Sequence, residues 1–266
     1  MSLIYPYFVQ NFDKMEKIKA LKSPTETAVG KTRSYIEHTD STILERRKRR
    51  LLPITFEQRA AMGIREVRVN ASFEEYLKLS HDCEYRLQYS DGQILSFIEI
   101  NQKTNTIMGE ATVSHERLVA RFIQFLANLF DIQDSNCQVL GSNIKIFIAE
   151  DHKAYNPDVA VVKGEVIEKN YKYNKRTSSG IVNPYIIVEV LSDSTRRFDL
   201  SEKLRDYQLI PSLEQVIFVE QGTVWASTYI RKNAHEWRNI IYESTDAQIP
   251  VGAGFISLEK IYAKPF

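Results

Sequence analysis

Residues 183–215 read NPYIIVEVLSDSTRRFDLSEKLRDYQLIPSLEQ, and this stretch decides the fold. It begins with an apolar, largely β-branched run from Tyr185 to Leu191 that only Glu189 interrupts. A run of about seven such residues between turn formers is typical of a central strand buried on both faces. Because a lone buried carboxylate is costly unless a cation meets it, we expect a metal ion or a basic side chain beside Glu189.

The segment after this strand predicts a helix that supplies such a cation. A polar turn over residues 192–197 is followed by Asp199-Leu-Ser-Glu202, a capping-box pattern, so we expect the helix to begin there. The expected apolar stripe of this helix is Leu200, Leu204 and Tyr207. Lys203 lies on the same side at helical spacing, so strand, turn and helix would direct its ammonium toward Glu189.

Size and composition indicate one substantial globular domain with an extension. The chain has 266 residues, 43% hydrophobic and 26% charged, which favours a domain over residues 66–266 and an arm-like, partly disordered extension over residues 1–65. Cys83 and Cys137 lack the spacing of a zinc ribbon or a disulfide framework. With neither an apolar run of about 18 residues nor a secretory signal, we expect a cytoplasmic protein without a membrane partner.

Charge is unevenly distributed along the chain. The net charge is +1, with 12 Lys and Arg against 7 Asp and Glu in residues 1–60, which leaves −4 for the remainder. The whole chain therefore carries no general footprint for nucleic acid, and any such surface must be local. The densest basic cluster, Arg46 to Arg50, suits phosphate binding or a localisation signal, or is simply a solvated arm.

The remaining pattern predicts a central mixed β-sheet flanked by helices and preceded by a β-hairpin, which is an α/β fold of the mixed α+β kind. We expect a first helix that begins with the capping box Ser72–Glu75, followed by a hairpin with its turn at Asp91-Gly92. A longer helix, capped by Ser114, should run to about residue 130. Strands are expected over residues 139–148 and 159–162, and a polar, lysine-rich connection over residues 163–183.

Asp158, Glu189 and Lys203 form the set of residues that carries chemistry. Two carboxylates on adjacent buried strands can share a Mg²⁺ ion, and a nearby lysine can orient a water or stabilise charge on a phosphate. Each residue also has a plain structural interpretation. Asp158 could cap a turn, Glu189 could form only an ion pair with Lys203, and Lys203 could extend to solvent.

The sequence around these residues resembles the Uma family of restriction-endonuclease-like proteins, within the PD-(D/E)XK nuclease superfamily. The resemblance covers roughly residues 72–245, about two thirds of the chain. The motifs that carry it are Tyr155-Asn-Pro-Asp158-Val-Ala-Val-Val, Pro184 to Thr195 with its Val-Glu-Val-Leu-Ser core, Lys203 with Tyr207, and Pro211-Ser-Leu-Glu-Gln. It implies a restriction-endonuclease-like core, a Mg²⁺ or Mn²⁺ site and a homodimer.

The resemblance also assigns roles to individual residues. Asp158 and Glu189 match the metal-binding acids, with the carbonyl of Val190 as a further ligand, and Lys203 matches the lysine. In the general superfamily pattern the lysine follows the acid by two residues, where this chain has Leu191. Family members often carry acids in the hairpin, and the corresponding residues here are Gln88 and Gln93.

Two further groups are accessory candidates. His115 and Glu116 lie in the first turn of the long helix, where we expect a neutral, hydrogen-bonding histidine. Glu116 complements the helix dipole or, as the resemblance implies, supplies an outer acidic ligand. Lys172, Lys175 and Arg176 lie in the basic connection and are candidate contacts to a nucleic-acid backbone.

These observations favour a Mg²⁺-dependent endonuclease that hydrolyses DNA phosphodiester bonds. The alternative is a catalytically inactive nuclease fold that binds nucleic acid or a protein partner, which the −4 charge of residues 61–266 and the hairpin glutamines favour. A metal-dependent hydrolase of a small phosphate ester is a third hypothesis. The sequence has no phosphate-cradling glycine-rich loop or nucleophile elbow that would indicate another enzyme class.

Overall fold

The computed structural model of the chain describes residues 66–82, 87–97, 99–101, 106–108, 112–133, 136–148 and 152–263. The predicted extension over residues 1–65, including the basic cluster Arg46 to Arg50, lies outside these ranges. The division of the chain into an extension and a domain therefore stays a prediction. Among the described residues, no helix is long and apolar enough to cross a membrane.

The described residues form seventeen strands, five helices and one π-helical turn. In chain order the strands are β1 (Glu66–Asn70), β2 (Gln88–Ser90), β3 (Gln93–Phe97), β4 (Glu99–Asn101), β5 (Thr106–Met108), β6 (Cys137–Gly141), β7 (Ile146–Ile148), β8 (Lys153–Tyr155), β9 (Val159–Lys163), β10 (Glu168–Tyr173), β11 (Arg176–Ile181), β12 (Ile186–Leu191), β13 (Gln215–Glu220), β14 (Ala226–Asn233), β15 (Glu236–Tyr242), β16 (Gln248–Val251) and β17 (Gly254–Ser257). The helices are α1 (Phe73–Asp82), α2 (Val113–Gln133), α3 (Arg196–Phe198), α4 (Leu204–Tyr207) and α5 (Leu258–Tyr262), and a π-helical turn, Asp199–Lys203, joins α3 to α4.

Two large mixed sheets organise the described part of the chain. One has the strand order β1-β3-β2-β8-β7-β11-β10, and the other has the order β15-β14-β13-β12-β9-β6. Each contains one parallel pair, β7 with β11 and β12 with β13, among antiparallel neighbours. The predicted mixed α/β fold is thus confirmed, although its strands divide between two large sheets where the sequence suggested one.

The two sheets enclose the helical segment α3–α4. One hydrophobic core lies between α2, α5 and one face of the six-stranded sheet, and includes Phe122 and Val188. The other core joins the opposite face of that sheet, the α3–α4 segment and the inner face of the seven-stranded sheet, and includes Phe198 and Tyr207. Helix α1 covers the outer face of the seven-stranded sheet, where the Phe73 ring lies 4.8 Å from the ring of Tyr171, centroid to centroid.

Side-chain alternation along β12 explains where its carboxylate points. Every residue of this strand is buried, as its apolar sequence predicts. Ile186, Val188 and Val190 belong to the core beneath α2, whereas Ile187 and Leu191 belong to the core that contains α3–α4. Since successive side chains of a strand point to opposite faces, Glu189 faces the α3–α4 segment.

Several local expectations are correct. The turn between β2 and β3 has Asp91 at φ 48° and Gly92 at φ 73°, as the Asp-Gly pair predicts for a tight hairpin. At the start of α1, Ser72 and Glu75 form a reciprocal capping box in which the Ser72 N–H donates to Glu75 Oε2 at 2.7 Å and the Glu75 N–H donates to Ser72 Oγ at 3.2 Å.

Other boundaries differ from the prediction, each for a local reason. Helix α2 begins at Val113, and Thr112 caps it, because the Thr112 hydroxyl accepts the N–H of His115 at 3.1 Å. The prediction that Ser114 is the N-cap was therefore wrong. The single strand predicted over residues 139–148 is divided into β6 and β7, which belong to different sheets. The connection over residues 163–183 contains the hairpin β10–β11, whose strands lack apolar alternation.

Candidate functional site

The two predicted metal-binding acids lie side by side on neighbouring strands. Val159 of β9 is opposite Val188 of β12 in an antiparallel register, so Asp158 and Glu189 follow as the next opposed pair. The main-chain N–H of Val190 donates to Asp158 Oδ2 at 2.8 Å, which fixes the carboxylate against β12. Pairing of the strands thus brings together two acids that are 31 residues apart in the sequence.

Lys203 completes the predicted set from the helical segment. Its Nζ lies 2.8 Å from Glu189 Oε1 and 3.3 Å from Asp199 Oδ1, and it donates a long hydrogen bond of 3.4 Å to the carbonyl of Asn156. Tyr207, one helical turn later, donates its hydroxyl to Glu189 Oε1 at 2.8 Å. The ammonium therefore lies between two acids that are each about 3% exposed.

Asp199 is a member of this cluster that the sequence did not identify. The capping-box prediction for Asp199 and Glu202 is wrong, because the helical segment begins at Arg196 and Asp199 has helical angles of φ −61° and ψ −44°. The i→i+5 bond from the Leu204 N–H to the Asp199 carbonyl widens the turn. The four-residue spacing of Asp199 and Lys203 is the signal that could have identified the pair.

Burial dominates the electrostatics of the cluster. It raises the pKa of Glu189 to about 8, because desolvation of the carboxyl, together with the charges of Asp199 and Asp158, outweighs the opposing effect of Lys203. Burial also raises the pKa of Asp199, although Lys203 opposes the shift. The pKa of Lys203 is raised because the two acids outweigh the effect of burial, so its ammonium is held firmly in the charged state.

His115 and Glu116 approach the site from the first turn of α2. His115 Nε2 lies 3.3 Å from Asp158 Oδ2, and its Nδ1 lies 3.3 Å from Glu116 Oε1. Burial alone lowers the pKa of His115, but its bond to Asp158 and the charge of that acid outweigh burial, so the pKa lies above its ordinary value. This shift is opposite in direction to the one expected from the helix N-terminus, because the Asp158 carboxylate contacts the ring.

The same contact acts in the reverse direction on Asp158. Burial would raise the pKa of this carboxyl, but the His115 hydrogen bond and charge, the Val190 N–H and the charge of Lys203 together lower it. Asp158 is thus the more readily ionised acid of the pair. Glu189 is the acid whose negative charge a further cation would stabilise.

The oxygen atoms of this cluster fit a hard divalent cation. Within the described ranges, no three His, Cys, Asp or Glu side chains converge closely enough to hold a metal ion on their own. Mg²⁺, however, keeps several of its waters and often takes only one or two protein carboxylates. Asp158 and Glu189 are a donor pair of that kind, and the Val190 carbonyl is the expected third oxygen.

The two hairpin glutamines have different environments. Gln93 donates its side-chain amide to Asn70 Oδ1 at 2.8 Å near the surface. Gln88 is only 8% exposed, and its Oε1 has no hydrogen-bond partner among the described residues. Gln88 lies two residues before Ser90, on the same face of β2, and the Ser90 hydroxyl donates to Asp206 of α4 at 3.2 Å, so both side chains face the helical segment.

A second buried ion pair fixes the other side of α4. Lys153 of β8 lies 3.1 Å from Asp206 Oδ1 and 2.8 Å from Asp91 Oδ1 in the hairpin turn. Asp206 also accepts the hydroxyl of Tyr155. The segment that carries Lys203 is therefore attached by charged groups to the seven-stranded sheet on one side and to β12 on the other.

The predicted backbone contacts lie on the exposed hairpin β10–β11. Lys172 is on β10, Lys175 is in the turn and Arg176 begins β11. Lys172 is on the same face of the hairpin as Ile181, which belongs to the core around α3–α4. The hairpin thus presents basic side chains at one edge of the seven-stranded sheet, separate from the buried acids.

Comparison with known proteins agrees with this architecture. A solved structure with a similar fold is a putative nuclease belonging to DUF820 from Anabaena variabilis, at a TM-score of 0.52 and 13% sequence identity over 72% of this chain and 97% of that chain. Two uncharacterized proteins from Synechocystis sp., sll1609 and slr1290, are each 27% identical; the matches span 61% and 65% of this chain and 82% and 80% of theirs.

The sequence profile of the Uma2 family, described as "Putative restriction endonuclease", matches residues 73–259. This match contains both strands of the acid pair, the helical segment with Lys203 and the accessory residues of α2. On this evidence, the chain belongs to the Uma2 family of restriction-endonuclease-like proteins.

Proposed function

We propose that this protein is a Mg²⁺-dependent endonuclease that hydrolyses phosphodiester bonds in DNA. The observation that supports it is the buried cluster of Asp158, Glu189 and Lys203, in which Lys203 Nζ lies 2.8 Å from Glu189 Oε1. Two adjacent carboxylates with a fixed ammonium suit phosphoryl chemistry, which depends on binding a metal ion and on stabilising negative charge.

The residues have distinct roles in this proposal. Asp158 and Glu189, together with the carbonyl of Val190, would hold the metal ion, which would supply Lewis-acid chemistry for phosphodiester hydrolysis. Lys203 orients the attacking water or stabilises the charge that develops on the phosphate. Tyr207 and Asp199 position Glu189 and Lys203 through the contacts described above.

The hairpin β10–β11 is the proposed contact to the DNA backbone. Lys172, Lys175 and Arg176 can neutralise phosphates without reading sequence. Replacing all three with glutamine should weaken DNA binding about uniformly across sequences and reduce its salt dependence, because fewer counterions are then released. Fluorescence anisotropy over a series of salt concentrations measures both effects.

We propose a homodimer as the active form, as the family resemblance implies, since two copies would supply one site for each strand of a duplex. Sedimentation velocity measures the mass of the protein alone and with a short duplex. A monomer in both samples, combined with cleavage of both strands, would contradict this part of the proposal.

The central experiment is DNA cleavage with matched variants. Supercoiled and linear DNA are incubated with Mg²⁺ or Mn²⁺ and wild type, Glu189→Gln, Lys203→Met or the control Lys145→Met. Lys145 is a partly buried lysine that contacts the hydroxyls of Ser80 and Ser178. We expect metal-dependent cleavage by wild type and the control and its loss in the two site variants. Cleavage by Lys203→Met at the wild-type rate would remove the lysine from the mechanism.

A second candidate function is a nuclease fold that binds nucleic acid without cutting it. The specific observation in its favour is that Lys203 already pairs with Glu189 and Asp199, so the acids are partly neutralised without a metal. Calorimetric titration with Mg²⁺ separates the two functions. Binding that Glu189→Gln abolishes supports the enzyme, whereas DNA binding by a wild type that binds no Mg²⁺ supports the alternative.

A further inference from the structure

A groove of about 570 Å³ lies beside the candidate site. One wall is the first half of α2, with Val119, Ala120 and Ile123, and the other wall is Leu140 with the turn that follows β6, residues 141–143. Gly141 makes the groove wider here, since a Cβ at this position would lie 3.5 Å from Ile123 Cδ1.

One end of this groove adjoins Asp158 on both walls. On the helix wall, Glu116 lines the groove and contacts His115, which in turn contacts Asp158. On the strand wall, Gly141 pairs with Val159, the residue that directly follows Asp158. A ligand group held at Asp158 would therefore lie near this end of the groove.

The chemistry of the lining suits a neutral, flat group. Its apolar side chains can contact the two faces of a ring, and the Asn143 carboxamide at the rim can both donate to and accept from a ring edge. Among the described residues of the lining, Glu116 is the one with a charged side chain, and its negative charge disfavours a phosphate. Among the parts of a nucleic acid, the base has these properties, and its edge groups match a carboxamide.

We propose that this groove binds an unstacked nucleobase, that of the nucleotide next to the phosphate that Asp158 and Glu189 engage. The inference rests on the proposed function for the nature of the substrate, but it concerns a different surface. It adds a base subsite whose walls are α2 and the β6–β7 turn, so the protein would engage a strand that is single-stranded or locally unpaired at the site.

The test uses short single-stranded DNA in which one 2-aminopurine is moved along the sequence, in metal-free buffer and with Ca²⁺. Ala120→Phe fills the groove from an exposed helical position, and Gly141→Ala adds a single methyl group within it. Asn128→Phe is the matched control, since it is exposed on the same helix but does not line the groove.

At one position of the analogue, we expect wild type and Asn128→Phe to change its fluorescence and Ala120→Phe to abolish the change. Ala120→Phe should also weaken binding at least about fivefold, the lower end of what one bound base contributes. Gly141→Ala should weaken it less. With an abasic residue at that position, wild type and Ala120→Phe should bind equally.

The possible results are distinguishable from failure of the proposed catalysis. Equal fluorescence changes in wild type and Ala120→Phe, or no DNA binding by wild type, would overturn the subsite. A response that Ala120→Phe abolishes, in a protein that never cleaves DNA with Mg²⁺, would retain the subsite and overturn the nuclease proposal. If Ala120→Phe does not fold, the smaller Gly141→Ala variant decides between the same outcomes.

Discussion

Replacing Lys203 with methionine should destabilise the protein far more than the same replacement of Lys145, which is only partly buried. The ammonium of Lys203 is 2% exposed and lies between Glu189 and Asp199, each about 3% exposed. Methionine has a similar length and no charge, so the variant leaves two buried acids without their cation. We expect the free energy of unfolding to fall by about 3–5 kcal/mol, the usual cost of breaking a buried ion pair from one side.

That loss corresponds to a fall of roughly 6–20 °C in Tm, at about 2–4 °C per kcal/mol for a domain of this size. The loss of stability should also depend on pH. The pKa of Glu189 is already raised to about 8 from 4.5, and removing Lys203 raises it further. A carboxyl whose folded pKa is raised contributes stability below its unfolded pKa and loses it as pH rises through the folded pKa. The difference from wild type should therefore be small near pH 4.5 and largest above pH 8.

Urea denaturation at pH 5 and pH 8.5 measures both quantities, with Lys145→Met as the control. Adding Glu189→Gln to Lys203→Met should recover part of the loss at pH 8.5, because it removes one of the two orphaned charges. A Lys203→Met variant as stable as the control at pH 8.5, or one whose deficit grows as the pH falls, would refute this account of the cluster.

Three further predictions concern single contacts. Lys153→Met should cost about 3 kcal/mol because it removes the closest cation from the buried Asp206 carboxylate, whereas Lys145→Met, which removes a cation that contacts hydroxyls and a ring, should stay within about 1 kcal/mol of wild type in urea denaturation. Asp158→Asn should lower the pKa of His115, followed by NMR of its ring protons, because burial is then opposed only by Glu116. Mg²⁺ at roughly a hundredfold above its Kd should stabilise wild type by about 2.7 kcal/mol in thermal unfolding and should leave Asp158→Asn unchanged.

The strand part of the site could be predicted because its sequence allows few alternatives. An apolar run fixes β12 as a buried strand, alternation fixes the face of Glu189, and helical spacing places Lys203 on the buried side of its segment. The pairing of β9 with β12 then brings Asp158 beside Glu189. These steps rely on backbone periodicity, which the sequence carries directly.

The remainder of the site depends on contacts between distant segments. Asp199 precedes Glu202 by three residues, which is a capping-box spacing, yet Glu202 pairs with Arg68 of β1 at 2.8 Å and Asp199 turns inward to Lys203. Local sequence cannot show that a strand more than a hundred residues away competes for the capping carboxylate. Nor could it identify β10–β11 as strands, because their exposed lysines and serines resemble a polar loop.

The π-helical turn has a consequence for how this segment tolerates changes in length. In an α-helix, removing one residue rotates everything on one side of the deletion by about 100° relative to the other. Phe198 precedes the widened turn, Asp199 begins it and Tyr207 follows it, and all three are buried. Deleting the exposed Ser201 would restore a regular helix and leave these residues facing the same interior, because the wider turn is what accommodates one extra residue. A single-codon deletion here should therefore be less damaging than one within a regular helix such as α2.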